Sequence, residues 1–246
     1  MTDPTHIERF LAGAHVDHAV FELRPDYRAL LLVVDGLVPV PSDQDSEALL
    51  ERAESSARQA LRETPVDQLP HIAAWRAAYR AFGAKPQRTR NSVEALMRRT
   101  ESGLPRVNRL TDIYNAVSVL HQLPLGGEDL TGYSGAPQLI RATGTEPFDT
   151  TADGTAVIEH PDAGEVVWCD DAGVTCRRWN WRQARRTQLR DDTTTALFIM
   201  DVLDPMTDAA LQATLDDLSS HLLRLGPDVH IARRLMSANT ISAQGN

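Results

Sequence analysis

Residues 104–130 read LPRVNRLTDIYNAVSVLHQLPLGGEDL, and the reading of this stretch decides the fold of the chain. It predicts a loop, a helix, and a glycine loop that ends in a carboxylate. Thr111 stands at the N-cap position, Asp112 falls in the first turn where an acid complements the helix dipole, and Pro124 ends the helix. Leu110, Ile113, Val117 and Leu120 recur at helical spacing and mark an inward face. The opposite face carries Asn115, Ser118 and Gln122, which by pattern alone reads as solvated polar surface. Arg106 and Arg109 precede it; Gly126, Gly127, Glu128 and Asp129 follow it.

Outward from this centre the chain divides by character. Residues 1–18 form a leader, residues 19–226 one domain, and residues 227–246 a C-terminal extension whose last ten residues are expected to be mobile. Within the domain, residues 19–23 and 27–37 read as strands, and residues 43–64 as a helix with Leu49, Ala53, Ala57 and Leu61 in one stripe. Residues 71–82 form a second helix with an aromatic stripe of Trp75, Tyr79 and Phe82. Asn91 and Glu94 then give a capping-box start to a third. Beyond residue 130 the pattern turns to β, over 138–143, 155–159, 164–169 and 174–178. Asp170, Asp171, Ala172 and Gly173 make a hairpin loop that places Cys169 and Cys176 near one turn. Residues 196–203 read as a buried strand, and residues 207–225 as a helix with Leu211, Leu215, Leu218 and Leu222 in line. Helices first and strands later predict an α+β fold.

Composition bounds the function. The chain has 246 residues, 42% hydrophobic and 24% charged, which suits a soluble globular domain. No apolar run approaches the ~20 residues that span a bilayer, and the N-terminus lacks a signal-peptide pattern, so a cytosolic protein with no membrane association is expected. Two cysteines exclude a disulfide scaffold. The net charge of −9 is unevenly spread. Residues 76–109 hold nine basic residues against Glu94 and Glu101, and residues 177–190 hold six arginines and no acid. Such polarisation steers a polyanion to one side of an acidic protein, or else marks arginine-rich faces that are only solvated. Phosphate-loop, dinucleotide and serine-elbow motifs are missing, and the spacing of His15 and His18 makes a weak metal site.

Residues 104–130 resemble the tRNA-editing (B3/B4) domain of the bacterial phenylalanyl-tRNA synthetase beta chain, and more closely the free-standing proteins built from it. In that segment an Arg precedes an Asn by six residues and a short loop ends in Asp; here these are Arg109, Asn115 and Asp129. Residues 164–195, GEVVWCDDAGVTCRRWNWRQARRTQLRDDTTT, resemble the free-standing relatives as well. The resemblance implies a mixed or antiparallel sheet flanked by helices and an amino-acid pocket lined by Arg109, Tyr114 and Asn115, with Gly126 at its rim. It also implies a loop anchored by Asp129. Arg177, Arg178, Arg182, Arg185 and Arg186 would approach the acceptor end of an aminoacylated tRNA, with Trp179 or Trp181 stacking on a base or simply packing. The reaction implied is trans-acting hydrolysis of a mischarged aminoacyl-tRNA ester without cofactor or metal. A non-catalytic RNA-binding module and an amino-acid-like small-molecule binder stay open on the same fold. Two departures bear on substrate: Gly126 stands where the synthetase has a His, and Ile199 where it has a Glu that reads a tyrosine hydroxyl. Ile cannot accept that hydrogen bond, which makes a tyrosyl ester a poor substrate.

Overall fold

The computed structural model describes residues 4–239. In chain order the elements are α1 (Pro4–Gly13), β1 (His15–Val16), α2 (His18–Leu23), β2 (Arg28–Asp35), α3 (Gln44–Glu63), α4 (Pro70–Ala81), α5 (Ser92–Arg99) and α6 (Arg109–His121). Then come β3 (Leu125–Asp129), β4 (Gln138–Arg141), β5 (Phe148–Ala152), β6 (Thr155–Glu159), β7 (Val166–Asp170), β8 (Gly173–Arg177), β9 (Arg182–Gln183), β10 (Thr195–Val202), α7 (Asp208–Leu222) and β11 (His230–Ser237). The fold is α+β.

The organising layer is a four-stranded antiparallel sheet in the order β11-β2-β10-β3. Its two central strands carry near-continuous apolar runs because both faces are covered. Leu30, Leu32, Val34, Phe198 and Met200 face one core, shared with α3, α6 and α7. Ala29, Leu31, Val33, Leu197 and Ile199 face the other, shared with α1, α2, α4 and the second sheet. That second sheet runs β1-β4-β7-β8-β9; its β1–β4 pair is parallel and the rest antiparallel, and β5 and β6 form a separate hairpin.

Several expectations change on contact with tertiary structure. Residues 19–23 belong to helix α2, because the neighbours Val20 and Phe21 are both buried, which a helical turn permits and an alternating strand does not. The expected leader supplies α1, whose Ile7, Phe10 and Leu11 enter the second core. The expected C-terminal extension supplies β11, paired with β2 along eight residues. Of its last ten residues, 240–246 lie outside the described residues. The glycine loop after α6 is strand β3, an edge strand.

Helix α6 sits in the middle of the first core, against α3, α7 and β3. Its N-cap is Asn108, whose side chain accepts from Thr111 N at 2.9 Å; Thr111 itself lies one turn inside. Asp112 is fully buried and accepts from Val107 N and Ser42 Oγ. The polar face is buried too: Ser118 Oγ donates to Leu123 O at 2.6 Å, and Gln122 ends the helix with φ 52°. Replacing Asn108 by Ala should lower stability by about 1 kcal/mol, the usual cost of a lost N-cap, read as a lower urea midpoint with unchanged slope.

Candidate functional site

Beside the edge strand β3 the two sheets part and leave a cavity of about 290 Å³, near the lower end of the ~300–1,000 Å³ typical of ligand pockets. Tyr114 and Asn115 of α6 form one wall and α5 contributes Ala95, Leu96 and Arg99. Trp168 and Cys176 come from the second sheet, Trp179, Asn180 and Trp181 from the turn after β8, and Gln183 from β9. The floor is the β3–β10 pair, in which Gly126 faces Ile199 and Glu128 faces Leu197.

Gly126 is what opens this floor. A Cβ built there meets nothing within 4 Å, whereas one at Gly127 would lie 2.9 Å from both Leu189 Cδ1 and Phe198 Cε1. One glycine is therefore required by packing and the other leaves space for a ligand. Asn115 is 7% exposed, and its amide forms no hydrogen bond to the protein among the described residues. The amide faces the cavity, where a ligand or a water can bond to it.

The turn that closes the pocket is held under tension. Arg178 and Trp179 adopt left-handed backbone conformations, with φ of 48° and 68°, in residues for which that region is unfavourable. Burial of Trp179 offsets the cost: its ring lies 4.9 Å from Tyr27 and 5.2 Å from Trp75, and the side chain is wholly inaccessible. Trp179 is thus a core residue and no base-stacking platform. Trp181 is half-buried and faces the guanidiniums of Arg178 at 4.6 Å and Arg182 at 5.9 Å.

The pocket holds two acids that sequence reasoning left out of the site, Glu128 and Asp201. Burial pushes Glu128 up to about 7, with the Tyr133 hydroxyl donating to it. Burial pushes Asp201 up to about 6; it accepts from Tyr27 Oη at 2.5 Å and Asn180 Nδ2 at 3.2 Å. The signal for Asp201 was available, since it is an acid inside the apolar run 196–203. Burial also holds the Cys176 thiol well above its ordinary value, so this cysteine is a neutral wall residue. Both cysteines are free. Among the described residues no three His, Cys, Asp or Glu side chains converge as metal ligands.

Of the residues assigned to substrate, the structure brings Tyr114, Asn115 and Gly126 together and leaves Arg109 apart. Six residues along a helix turn a side chain by about 240°, so Arg109 and Asn115 cannot share a face. Arg109 instead pairs with Asp43 at 3.1 Å and Asp45 at 3.5 Å, beside α3. Asp129 takes hydrogen bonds from Thr131 and Thr193, tying the end of β3 to the segment before β10.

The arginines of residues 177–190 are largely engaged inside the protein. Arg177 is buried against Glu165 and Glu159, and Arg186 forms two bonds to Asp170 and two to main-chain carbonyls. Arg178 meets Glu165 and Thr89, Arg182 lies 3.7 Å from Glu159, and Arg185 lies 3.2 Å from Asp149. The exposed residues Lys85, Arg88 and Arg90, on the connection from α4 to α5, and Arg99, at the end of α5, form no ion pair among the described residues. They border the pocket through Arg99.

A family model described as the B3/4 domain matches residues 74–238. Among solved structures, the chain is similar to an N-terminal fragment of the phenylalanyl-tRNA synthetase beta-subunit from Pyrococcus horikoshii. The TM-score is 0.43 and the identity 13%, over 89% of this chain and 49% of that one, so this chain spans about half the length of that fragment. No curated protein matches the sequence.

Two outcomes follow for the pocket without a ligand. Gly126→Val should leave the melting temperature near that of the parent, while Gly127→Val should destabilise by about 1–3 kcal/mol through overpacking. A carboxylate whose value is raised on folding holds its proton in the folded state only, so stability should fall as pH rises from about 4.5, the ordinary Glu value, through about 7. Glu128→Gln should flatten that slope in urea titrations at successive pH values.

Proposed function

The chain belongs to the B3/4 domain family, and from that premise we propose that it acts on the aminoacyl ester at the acceptor end of a mischarged tRNA, hydrolysing it in trans in the cytosol. One observation supports this reading above the others: an amino-acid-sized cavity lies at Tyr114, Asn115 and Gly126, with the Asn115 amide unpartnered. An aminoacyl ester is already activated. Its hydrolysis needs an oriented water, donors for the developing oxyanion and a pocket that selects the side chain. Such a pocket is a second sieve. The amide of Asn115 offers one donor and one acceptor to the carbonyl or the water. Ile199 presents an apolar floor beside Gly126, which suits an apolar amino-acid side chain.

The RNA contact falls to the cations that lack carboxylate partners. Arg99 lines the mouth formed by α5, and Lys85, Arg88 and Arg90 lie on the segment that leads into that helix, where the phosphates of an acceptor end would pass. Arg182 and Arg185 are partly exposed and neutralised by acids, which supports a smaller share for them. This internal pairing also favours a second reading, in which the pocket binds a free amino-acid-like molecule and no RNA.

Release of labelled amino acid from a panel of charged tRNAs separates the readings. Hydrolysis of one or two misacylated species is expected; Asn115→Ala should slow it at least tenfold with tRNA affinity nearly unchanged, and Gly126→Val should abolish it. A panel with no release would remove the hydrolase. For RNA, reversing Arg88 and Arg90 to Glu should weaken tRNA binding and flatten its salt dependence more than reversing Arg182 and Arg185. Equal and negligible effects, with amino-acid binding retained, would favour the small-molecule binder.

A further inference from the structure

Buried acids in this chain are neutralised by arginine almost throughout. Glu54 pairs with Arg106, Glu94 with Arg76 and Arg98, and Asp129 with Arg190. Glu165 pairs with Arg177 and Asp170 with Arg186. Asp112 lacks an arginine but stands in the first turn of α6, where main-chain and hydroxyl donors surround it. Asp35, which accepts from Thr195 Oγ1, lies away from the cavity; Glu128 and Asp201, 3% and 2% exposed, are the buried acids that line it. Among the described residues no Arg, Lys or His forms an ion pair with either, and both line the same cavity.

Their positions follow from register. Side chains alternate along a strand, so Glu128 and Gly126 of β3 stand on the face that Leu197, Ile199 and Asp201 present from β10. The acids border the two ends of a trough whose floor is Gly126 and Ile199. Four strand residues separate their ends by about 13 Å, too far for one small cation to bridge both. Asp201 has both oxygens engaged, one by Tyr27 and the other by Asn180. Glu128 has the Tyr133 hydroxyl on Oε2, with Gln183 and Thr175 beside it, all neutral.

We propose that the pocket takes a ligand bearing an ammonium group, with Glu128 supplying its counter-charge as the residue that reads the free amine. This rests on the pocket reading above: for an aminoacyl ester the cation is the α-ammonium, and the device admits esters with a free amine while rejecting neutral analogues of the same shape. A buried carboxylate without a cation is costly to ionise, so the ligand's charge and the carboxylate's ionisation support one another. The groups facing Glu128 are Tyr133, Tyr114 of α6, Cys176 of β8 and Arg186; those facing Asp201 are Tyr27, Tyr79 of α4 and Cys176. Burial raises the four tyrosines and the thiol, with Tyr114 up to about 12, and Arg186 is tied to Asp170. Of these groups, Glu128 and Asp201 alone change charge between pH 5 and 7.

The test is equilibrium binding of a panel of L-amino acid methyl esters, each beside its α-hydroxy counterpart, which keeps the shape and loses the charge. Wild-type protein should bind at least one amine ester tenfold or more tighter than its hydroxy partner, and that preference should grow from pH 5 to 6 as Glu128 begins to ionise, a range in which the ester's α-amine stays charged. Glu128→Gln should erase the preference and most of its pH dependence while leaving the hydroxy ester's affinity within twofold. Equal binding of the two esters by wild type, or a preference that survives Glu128→Gln, would overturn the proposal. Gly126→Val keeps the two failures apart: if it abolishes binding of both esters while Glu128→Gln changes nothing, the pocket stands and the charge reading falls. If wild type binds neither ester, both fall. Should Glu128→Gln not fold, the wild-type preference and its pH slope decide alone.

Discussion

A single buried carboxylate ties the layers of this molecule together. Asp201, inside the central strand β10, accepts from Tyr27 beside β2 and from the amide of Asn180 in the turn after β8. The carbonyl of that amide accepts from Tyr79 of α4 at 2.9 Å. Sheet, helix and turn thus meet in one chain of hydrogen bonds, and each lost partner would leave a largely buried polar group at a cost of about 1–3 kcal/mol. The same chain fixes the left-handed step at Arg178 and Trp179, which carries Trp181 and Gln183 to the cavity. The site's shape is therefore a by-product of how the two sheets are fastened.

The sequence made the helices and the apolar strands legible wherever local pattern and burial agree. Helix α3 is an example: Asp43 and Ser46 cap it reciprocally, and Leu49, Ala53 and Ala57 lie in its buried stripe. Reading failed where a neighbour far along the chain decides. The polar face of α6 looked solvated because nothing near it in sequence shows that tertiary neighbours bury Asn115 and Ser118. Short α2 passed for a strand because six residues carry too little periodicity to separate a helical turn from an alternating run. At the site, Tyr114, Asn115 and Gly126 were within reach, and Arg109 was lost to helical geometry. Asp201 was within reach as an acid inside an apolar run, whereas Glu128 was hidden beside a glycine pair that read as loop.

Charge patterning gave a similar lesson. An arginine-rich stretch suggests a polyanion, yet Arg177 and Arg186 neutralise acids that the hairpin itself buries. Sequence shows how many charges a segment has and leaves hidden which are already answered. Lys85, Arg88 and Arg90, on the connection between α4 and α5, are among the cations left without an ion pair within the described residues, a location no count of arginines would single out.

The aromatic residues that shape the cavity also make it visible. The chain contains four tryptophans. Trp168, Trp179 and Trp181 border the pocket, and Trp75 touches Trp179 at 5.2 Å. All of the molecule's indole emission therefore arises within one small region, with Glu128 and Asp201 as its neighbouring quenchers and Cys176 among them. A molecule entering the space, or a proton arriving on either acid, alters the surroundings of every emitter at once. The protein carries an optical gauge of its own occupancy that needs no added label.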